Sequence, residues 1–229
     1  MPDTKFSFRA LREHIRKYLW IYIVGIVACL VLSSLLWTTT RPRVPNEQNV
    51  TVYLTDGYAN SDPLADVARD MLERTQAFDE TLQEVTFLPL QYNADDYTSM
   101  MLLMTRLAVG EGDAFLANAS AMEQLARSQA LEPLDEYVDN GYLSIYDLEP
   151  YYFTLEDEET GESETYLAGL SLDNVDALAQ LGAFNNDGAF LCVANNGGNV
   201  QTTMKALEYM LEDLMEGNYA GTETAEPAA

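Results

Sequence analysis

The longest apolar stretch of the chain covers residues 18–37, which include no charged side chain. A helix of that length extends about 30 Å, which matches the hydrocarbon core of a bilayer. Aromatic residues lie near both ends of the stretch, at Tyr18, Trp20, Tyr22 and Trp37, as they do at membrane interfaces. A buried core helix would carry a polar face, and this stretch has none. We therefore predict a single transmembrane helix.

Beyond residue 49 the apolar positions alternate between strand-like and helix-like spacing. Apolar, β-branched runs predict strands at 50–55, 84–90, 112–118 and 189–194, and a hairpin at 153–172 with an acidic turn at 158–162. Helical spacing predicts helices after Ser61-Asp62-Pro63 and at 97–109, 121–128 and 201–215. Strands that alternate with helices indicate an α/β fold with a mostly parallel sheet.

Two of these helices carry further expectations. The helix at 97–109, capped by Asp95 or Asp96, is apolar nearly all round, so we expect its surface to be deeply covered. Three of its methionines are expected to fill the core: Met100, Met101 and Met104. Ser120 and Glu123 have the spacing of a capping box and predict the start of the next helix.

The charge is distributed unevenly along the chain. Residues 1–17 carry 5 basic and 2 acidic side chains, whereas residues 44–229 carry 5 basic and 35 acidic ones, a net charge of 5 − 35 = −30. More basic residues precede the apolar stretch than follow it, which predicts a cytoplasmic N-terminus and an extracytoplasmic remainder. So acidic a chain repels phosphate backbones, and we exclude nucleic acid as a partner.

These features divide the chain into five segments. They are a basic cytoplasmic segment at 1–17, a transmembrane helix at 18–37, a linker at 38–48, an α/β domain at 49–217 and a disordered acidic tail at 218–229. We thus predict a single-pass protein of the bacterial cell membrane, whose first partner is the lipid bilayer.

An alternative reading concerns Cys29. Residues 26–29, Ile-Val-Ala-Cys, match a bacterial lipobox, in which cleavage before the cysteine and lipidation would replace the helix by a lipid anchor. The apolar run that continues after Cys29 favours the uncleaved helix, since a mature lipoprotein normally starts with polar residues. Both readings place the same domain outside the same membrane.

The segment at 110–143, GEGDAFLANASAMEQLARSQALEPLDEYVDNGYL, resembles extracellular solute-binding proteins of ABC transporters. In that family a helix ends in glycine, a strand that begins with Gly-Asp follows, and a Pro-Leu-Asp segment, here residues 133–135, closes the first lobe. Residues 165–172, TYLAGLSL, are similar to the strand that enters the second lobe, with Gly169 in place of a proline. Ala206 matches an alanine of a late helix.

The resemblance extends over residues 50–215 and implies a lobe of the periplasmic-binding-protein fold. It also implies a small polar ligand and, as a partner, an ABC transporter permease or another membrane protein. Only residues 172–189 separate the strand that enters the second lobe from the late strand. The second lobe, and with it the cleft that holds the family's ligands, is therefore expected to be largely absent.

Candidate binding residues lie where the predicted parallel strands end, because ligands of open α/β sheets bind beyond the carboxyl ends of the strands. The loops there offer hydrogen-bonding groups and aromatic faces. The candidate ligand-binding residues are Asp56, Tyr58, Tyr92, Asn93, Asn118 and Ser120. In the alternative interpretation Ser120 caps its helix, while Asp56 and Asn118 complete turns.

The sequence offers little for catalysis or metal binding. Its one histidine, His14, lies in the basic segment, and only 5 basic side chains in residues 44–229 could stabilise an anion. The carboxylates at 156–164 could hold Ca²⁺, but without EF-hand spacing we expect an exposed acidic hairpin. Cys192 is expected to be a buried free thiol. We predict no catalytic residue, no metal and no cofactor.

Two functions are compatible with these expectations. The first is a membrane-anchored, non-catalytic binding module that presents a polar ligand to a membrane transporter or docks on one. The second is an envelope protein whose reduced lobe binds another protein and no small solute.

Overall fold

The computed structural model describes residues 8–40, 44–56, 59–156, 163–195, 199–217 and 219. The chain divides into two compact units, Met1–Arg43 and Val44–Ala229. The first unit contains helix α1, Phe8–Thr40, which continues past the predicted end of the transmembrane helix at residue 37. Within α1, Arg16–Leu36 is long and apolar enough to cross a membrane, with a mean hydropathy of 2.5, although signal sequences near an N-terminus share these properties.

The second unit is built around one six-stranded sheet. Its strands are β1 (Asn49–Leu54), β2 (Glu84–Pro89), β3 (Ala114–Asn118), β4 (Pro150–Glu156), β5 (Ser163–Ser171) and β6 (Ala189–Val193). Its α-helices are α2 (Ala65–Gln76), α3 (Tyr97–Ala108), α4 (Ala119–Arg127), α5 (Asp135–Asp139), α6 (Asp176–Leu181) and α7 (Val200–Met215). The α/β prediction is therefore confirmed, and each predicted strand is present.

The strands lie in the order β2-β1-β3-β6-β5-β4. The first three are parallel, because helices α2 and α3 carry the chain from the end of each strand back to the start of the next. β6 enters antiparallel between β3 and β5, and β4 pairs antiparallel with β5 as a hairpin. Four of the six strands thus point the same way. The predicted acidic turn of the hairpin and the acidic tail, Tyr219 excepted, lie outside the described residues.

The sheet separates two hydrophobic clusters. In β1, Val50, Val52 and Leu54 contribute to one cluster, whereas Tyr53 contributes to the other. The first cluster includes residues of α2, α6 and α7, and the second includes residues of α3 and α4. Because both faces of β1 are covered, the strand is a continuous apolar run rather than an alternating one.

The Pro-Leu-Asp segment of the sequence extends the sheet at β5. The backbone N–H of Leu134 donates to the carbonyl of Leu167 at 2.9 Å, and the N–H of Leu167 donates to the carboxylate of Asp135 at 2.8 Å. Asp135 therefore has a structural role as an acceptor for a backbone group of the central sheet.

Candidate functional site

Hydrogen bonds within the protein cross the carboxyl edge of the parallel strands, where the sequence places the candidate ligand-binding residues. Asn118 ends β3 and its side-chain nitrogen donates to the carbonyl of Thr55 at 3.1 Å. Its side-chain oxygen accepts from the N–H of Ala121 and from the hydroxyl of Ser120, both at 2.9 Å. Asn118 therefore caps α4 and links β3 to the end of β1.

The capping box expected at Ser120 and Glu123 is wrong. The cap of α4 is Asn118, two residues earlier, and the Ser120 hydroxyl donates to it instead of accepting from the helix. The Glu123 carboxylate pairs with Arg127 at 2.6 Å, one turn along the helix. Asparagine and serine are both favoured at helix caps, so residue type alone does not distinguish Asn118 from Ser120.

The other candidate residues at this edge also take part in local structure. The Asp56 carboxylate accepts from the N–H of Asn185 at 3.2 Å, which ties the loop after β1 to the loop before β6. Tyr92 is buried, which raises the pKa of its hydroxyl. The side-chain oxygen of Asn93 accepts from the N–H of Asp95 at 3.0 Å, in the turn that leads into α3. Tyr58 lies outside the described residues.

A cleft of about 500 Å³ lies at the opposite, amino edge of the parallel strands. Its lining residues are Glu47, Asp79, Glu132, Tyr137, Asn195, Asn199, Val200, Gln201 and Thr202. The Tyr137 hydroxyl donates to Glu132 at 3.0 Å, and burial together with that carboxylate raises the pKa of Tyr137 to about 12. The Asp79 carboxylate accepts from Thr81 and Thr202, and these bonds lower its pKa. None of these residues is among the candidates predicted from sequence, because they come from helices and loops far apart in the chain.

Most of the surface that helix α3 presents to solvent is uncharged; its one charged residue, Arg106, is partly exposed and ion-paired with Glu111. Its exposed residues, with Val109 directly after it, form what we call the α3 face: Tyr97, Thr98, Met101, Leu102, Thr105, Ala108 and Val109. The most exposed are Tyr97, at 69%, and Val109, at 60%. Met101 and Leu102 are 46% and 43% exposed. The expectation that this helix is deeply covered, with Met101 in the core, is therefore wrong.

The opposite side of α3 is buried, as expected. Leu103 is fully buried, and Met100 and Met104 pack against the second cluster. The helix N-terminus is capped by Asp96, whose carboxylate accepts from the N–H of Thr98 at 3.0 Å. One side of α3 thus supports the fold, and the other side offers apolar surface that no described residue covers.

No metal site is formed by the described residues, since they contain no group of three or more histidine, cysteine, aspartate or glutamate side chains that could hold an ion. Cys192 is a buried free thiol in β6, as expected, and burial raises its pKa far above the ordinary value. A thiol in that environment stays protonated and unreactive at neutral pH.

Comparisons with known proteins give little guidance. No family model matches the chain, and no curated protein matches it. Among solved structures, the chain is similar to a protein from Listeria monocytogenes described as a spermidine/putrescine ABC transporter, with 11% identity and a TM-score of 0.37. The similarity covers 76% of this chain and 82% of that one. A TM-score this low assigns neither function nor ligand-binding positions.

Proposed function

We propose that the protein is a membrane-anchored, extracytoplasmic module that binds another protein through the α3 face and catalyses no reaction. The observation that carries this proposal is the α3 face itself. It is an exposed helix surface of seven uncharged residues in a unit whose sequence carries 35 acidic side chains. Water-facing positions of so acidic a domain are expected to be charged, and exposed apolar surface is typical of protein contacts.

The apolar part of α1 supports the membrane anchor. No residue of the apolar window in Arg16–Leu36 is buried, as expected for a helix whose apolar surface lies in lipid. Basic residues at positions 5, 9, 12, 16 and 17 precede the uncharged run at 18–37 and favour a cytoplasmic N-terminus. The second unit then lies outside the membrane, where an integral membrane protein such as a transporter permease is an available partner.

The use of the cationic side chains supports a role without catalysis. Each arginine described in the second unit is ion-paired with a neighbouring carboxylate: Arg69 with Asp66, Arg74 with Asp213, Arg106 with Glu111 and Arg127 with Glu123. Lys205 lies over the Tyr209 ring at 5.2 Å. Cations in such pairs are already neutralised and are poorly placed to stabilise a developing anion.

Solute presentation to a transporter is the second candidate function. The observation that favours it is the cleft at the amino edge, whose volume is large enough for a small solute. A thermal-shift screen of the full-length chain against sugars, amino acids, peptides and polyamines separates the two functions. Protein docking predicts no change in the melting temperature with any of these compounds, whereas a solute that raises it at micromolar concentration favours the second candidate.

The docking proposal predicts position-specific cross-linking in the membrane of living cells. A photo-reactive side chain at Leu102, in the α3 face, is expected to give one discrete adduct with another protein. The same group at Tyr152, which is 55% exposed on β4, is the matched control and is expected to give none. Adding Met101→Gln should lower the Leu102 adduct about fivefold, because contacts near the centre of an interface contribute most to binding. Equal adducts from both positions, or none from Leu102, would refute the proposal.

A further inference from the structure

We propose that the partner of the α3 face is a protein whose apolar contact surface is bordered by lysine or arginine side chains. This inference rests on the proposed function, because it names the chemistry of the partner at the same surface. It follows from three features: the lack of charge within the α3 face, the acidic residues at its N-terminal end, and the net charge of residues 44–229.

Acidic side chains flank the α3 face at its N-terminal end, and an ion pair flanks it at the other end. Asp95 and Asp96 are exposed in the loop before α3, and Glu111 follows the helix. The basic residue of α3, Arg106, forms an ion pair with Glu111 and donates to the Tyr53 hydroxyl at 3.3 Å. Arg106 and Glu111 neutralise each other at that end, so the carboxylates that the border presents to an approaching surface are those of Asp95 and Asp96.

The negative charge of the border determines which side chains of a partner bind favourably opposite it. Polar groups surround the apolar centre of a protein interface and set its orientation by complementary charge. Lysine or arginine side chains opposite Asp95 and Asp96 satisfy that complementarity. Acidic side chains at the same positions would leave like charges facing each other at reduced solvent exposure, which weakens binding.

The net charge of the unit argues against two other occupants of the α3 face, a second copy of this chain and a membrane surface. In a dimer, the acidic units of the two copies would face each other, each with 35 acidic side chains in residues 44–229, and would repel each other. A bilayer rich in anionic lipid would repel this unit for the same reason, since such surfaces attract basic segments. A protein with a basic border is the occupant whose electrostatic interaction with this surface is attractive.

Two synthetic peptides test this inference directly. Both form an amphipathic helix with the same leucine-rich face, and they differ only in a border of lysine or of glutamate. They are titrated against the full-length chain in nanodiscs of zwitterionic lipid, with fluorescence anisotropy as the readout. The lysine-bordered peptide is expected to bind at least about tenfold more tightly than the glutamate-bordered one. Added salt should lower the affinity of the lysine-bordered peptide, because the border charges are solvent-exposed.

Variants of the chain assign the peptide to the α3 face. The double variant Met101→Gln, Leu102→Gln should weaken the lysine-bordered peptide about tenfold through loss of apolar burial. Asp95→Lys should weaken it about threefold through repulsion at the border. Tyr152→Gln removes an exposed aromatic side chain elsewhere and is expected to leave the affinity unchanged.

The outcomes separate this inference from the proposed function. Equal affinities for the two peptides, or an equal loss in Tyr152→Gln and the double variant, would overturn the inference. So would self-association or binding to anionic vesicles that the double variant abolishes. If the cross-link from Leu102 persists in these cases, docking through the α3 face stands with a partner of different chemistry. If the double variant leaves peptide binding unchanged and Met101→Gln leaves the cross-link from position 102 unchanged, both proposals fail.

Discussion

Gly169→Ala is expected to lower the free energy of unfolding by about 3 kcal/mol, near the upper end of the range for overpacked cores. Gly169 lies in β5, between β4 and β6. A Cβ atom at this position would lie 2.7 Å from the carbonyl oxygen of Leu191 and 2.9 Å from the Cε of Met122. Met122 can turn its flexible side chain away, but the Leu191 carbonyl belongs to the paired backbone of β6, so relief requires the two strands to separate.

Gly182→Ala is the matched control for this substitution. Gly182 follows α6 with a φ of 64°, and nothing lies within 4 Å of a Cβ built on it. Its replacement should cost about 1 kcal/mol, from the left-handed backbone alone. Urea denaturation of the full-length chain in detergent micelles, followed by circular dichroism, measures both. A loss for Gly169→Ala no larger than that of the control would show that β5 and β6 are not packed as described.

Asp113→Asn is expected to stabilise the protein at neutral pH, by as much as about 3 kcal/mol. Asp113 is largely buried next to β3, and desolvation raises its pKa from 3.8 to about 6. The N–H of Thr51 donates to its carboxylate at 2.8 Å, which opposes this shift without cancelling it. Asparagine keeps an oxygen that can accept from Thr51 but removes the buried charge, and so removes the cost of ionisation.

The sign of the pH dependence follows from the two pKa values of Asp113. Between pH 3.8 and about 6 the folded state binds the proton more tightly than the unfolded state does. The stabilisation from the protonated side chain is therefore fully present below pH 3.8 and is lost as the pH rises through about 6. The wild-type chain should lose stability over this interval, and Asp113→Asn should lose distinctly less.

Urea denaturation at pH 4, 5, 6 and 7.5 tests this expectation. The matched control is Asp95→Asn, which removes an exposed carboxylate. If Asp113→Asn were less stable than the wild type at pH 7.5, its carboxylate would be contributing a favourable charged interaction, and the desolvation argument would be wrong.

The strand–helix order of the fold could be predicted from sequence because each element carries a local signal. The run at 50–55 is β-branched and apolar on both faces, as a central strand must be, and β1 lies between two other strands. Asp96 was one of two predicted caps of α3, and its carboxylate accepts from the helix N-terminus. These signals lie within a few residues of the element that they describe.

The exposure of α3 could not be predicted in the same way. The sequence of a helix that is apolar all round shows how much apolar surface the helix has. It does not show how much of that surface is buried, because burial depends on the packing of distant segments. The sheet and α4 cover one side, and Met101 and Leu102 face away from them. The mismatch between composition and exposure is what identifies this surface as a candidate contact.

The six candidate ligand-binding residues show the limit of the other local rules. The sequence predicts that they lie at the ends of parallel strands, but it does not reveal which polar atoms the turns themselves use. Asn118 makes hydrogen bonds to Thr55, Ser120 and Ala121, and only the three-dimensional arrangement shows this. Whether any of the six contacts a ligand stays a prediction.

The central claim is that the acidic unit lies outside a membrane that α1 crosses, and cysteine labelling tests it most directly. In spheroplasts with an intact membrane, an impermeant maleimide should label Tyr152→Cys at once and Arg12→Cys only after permeabilisation, both in a Cys29→Ala background. Cys192 does not interfere, because it is buried and its pKa is raised. Labelling of Tyr152→Cys only after permeabilisation, or its recovery in the soluble fraction, would contradict the account.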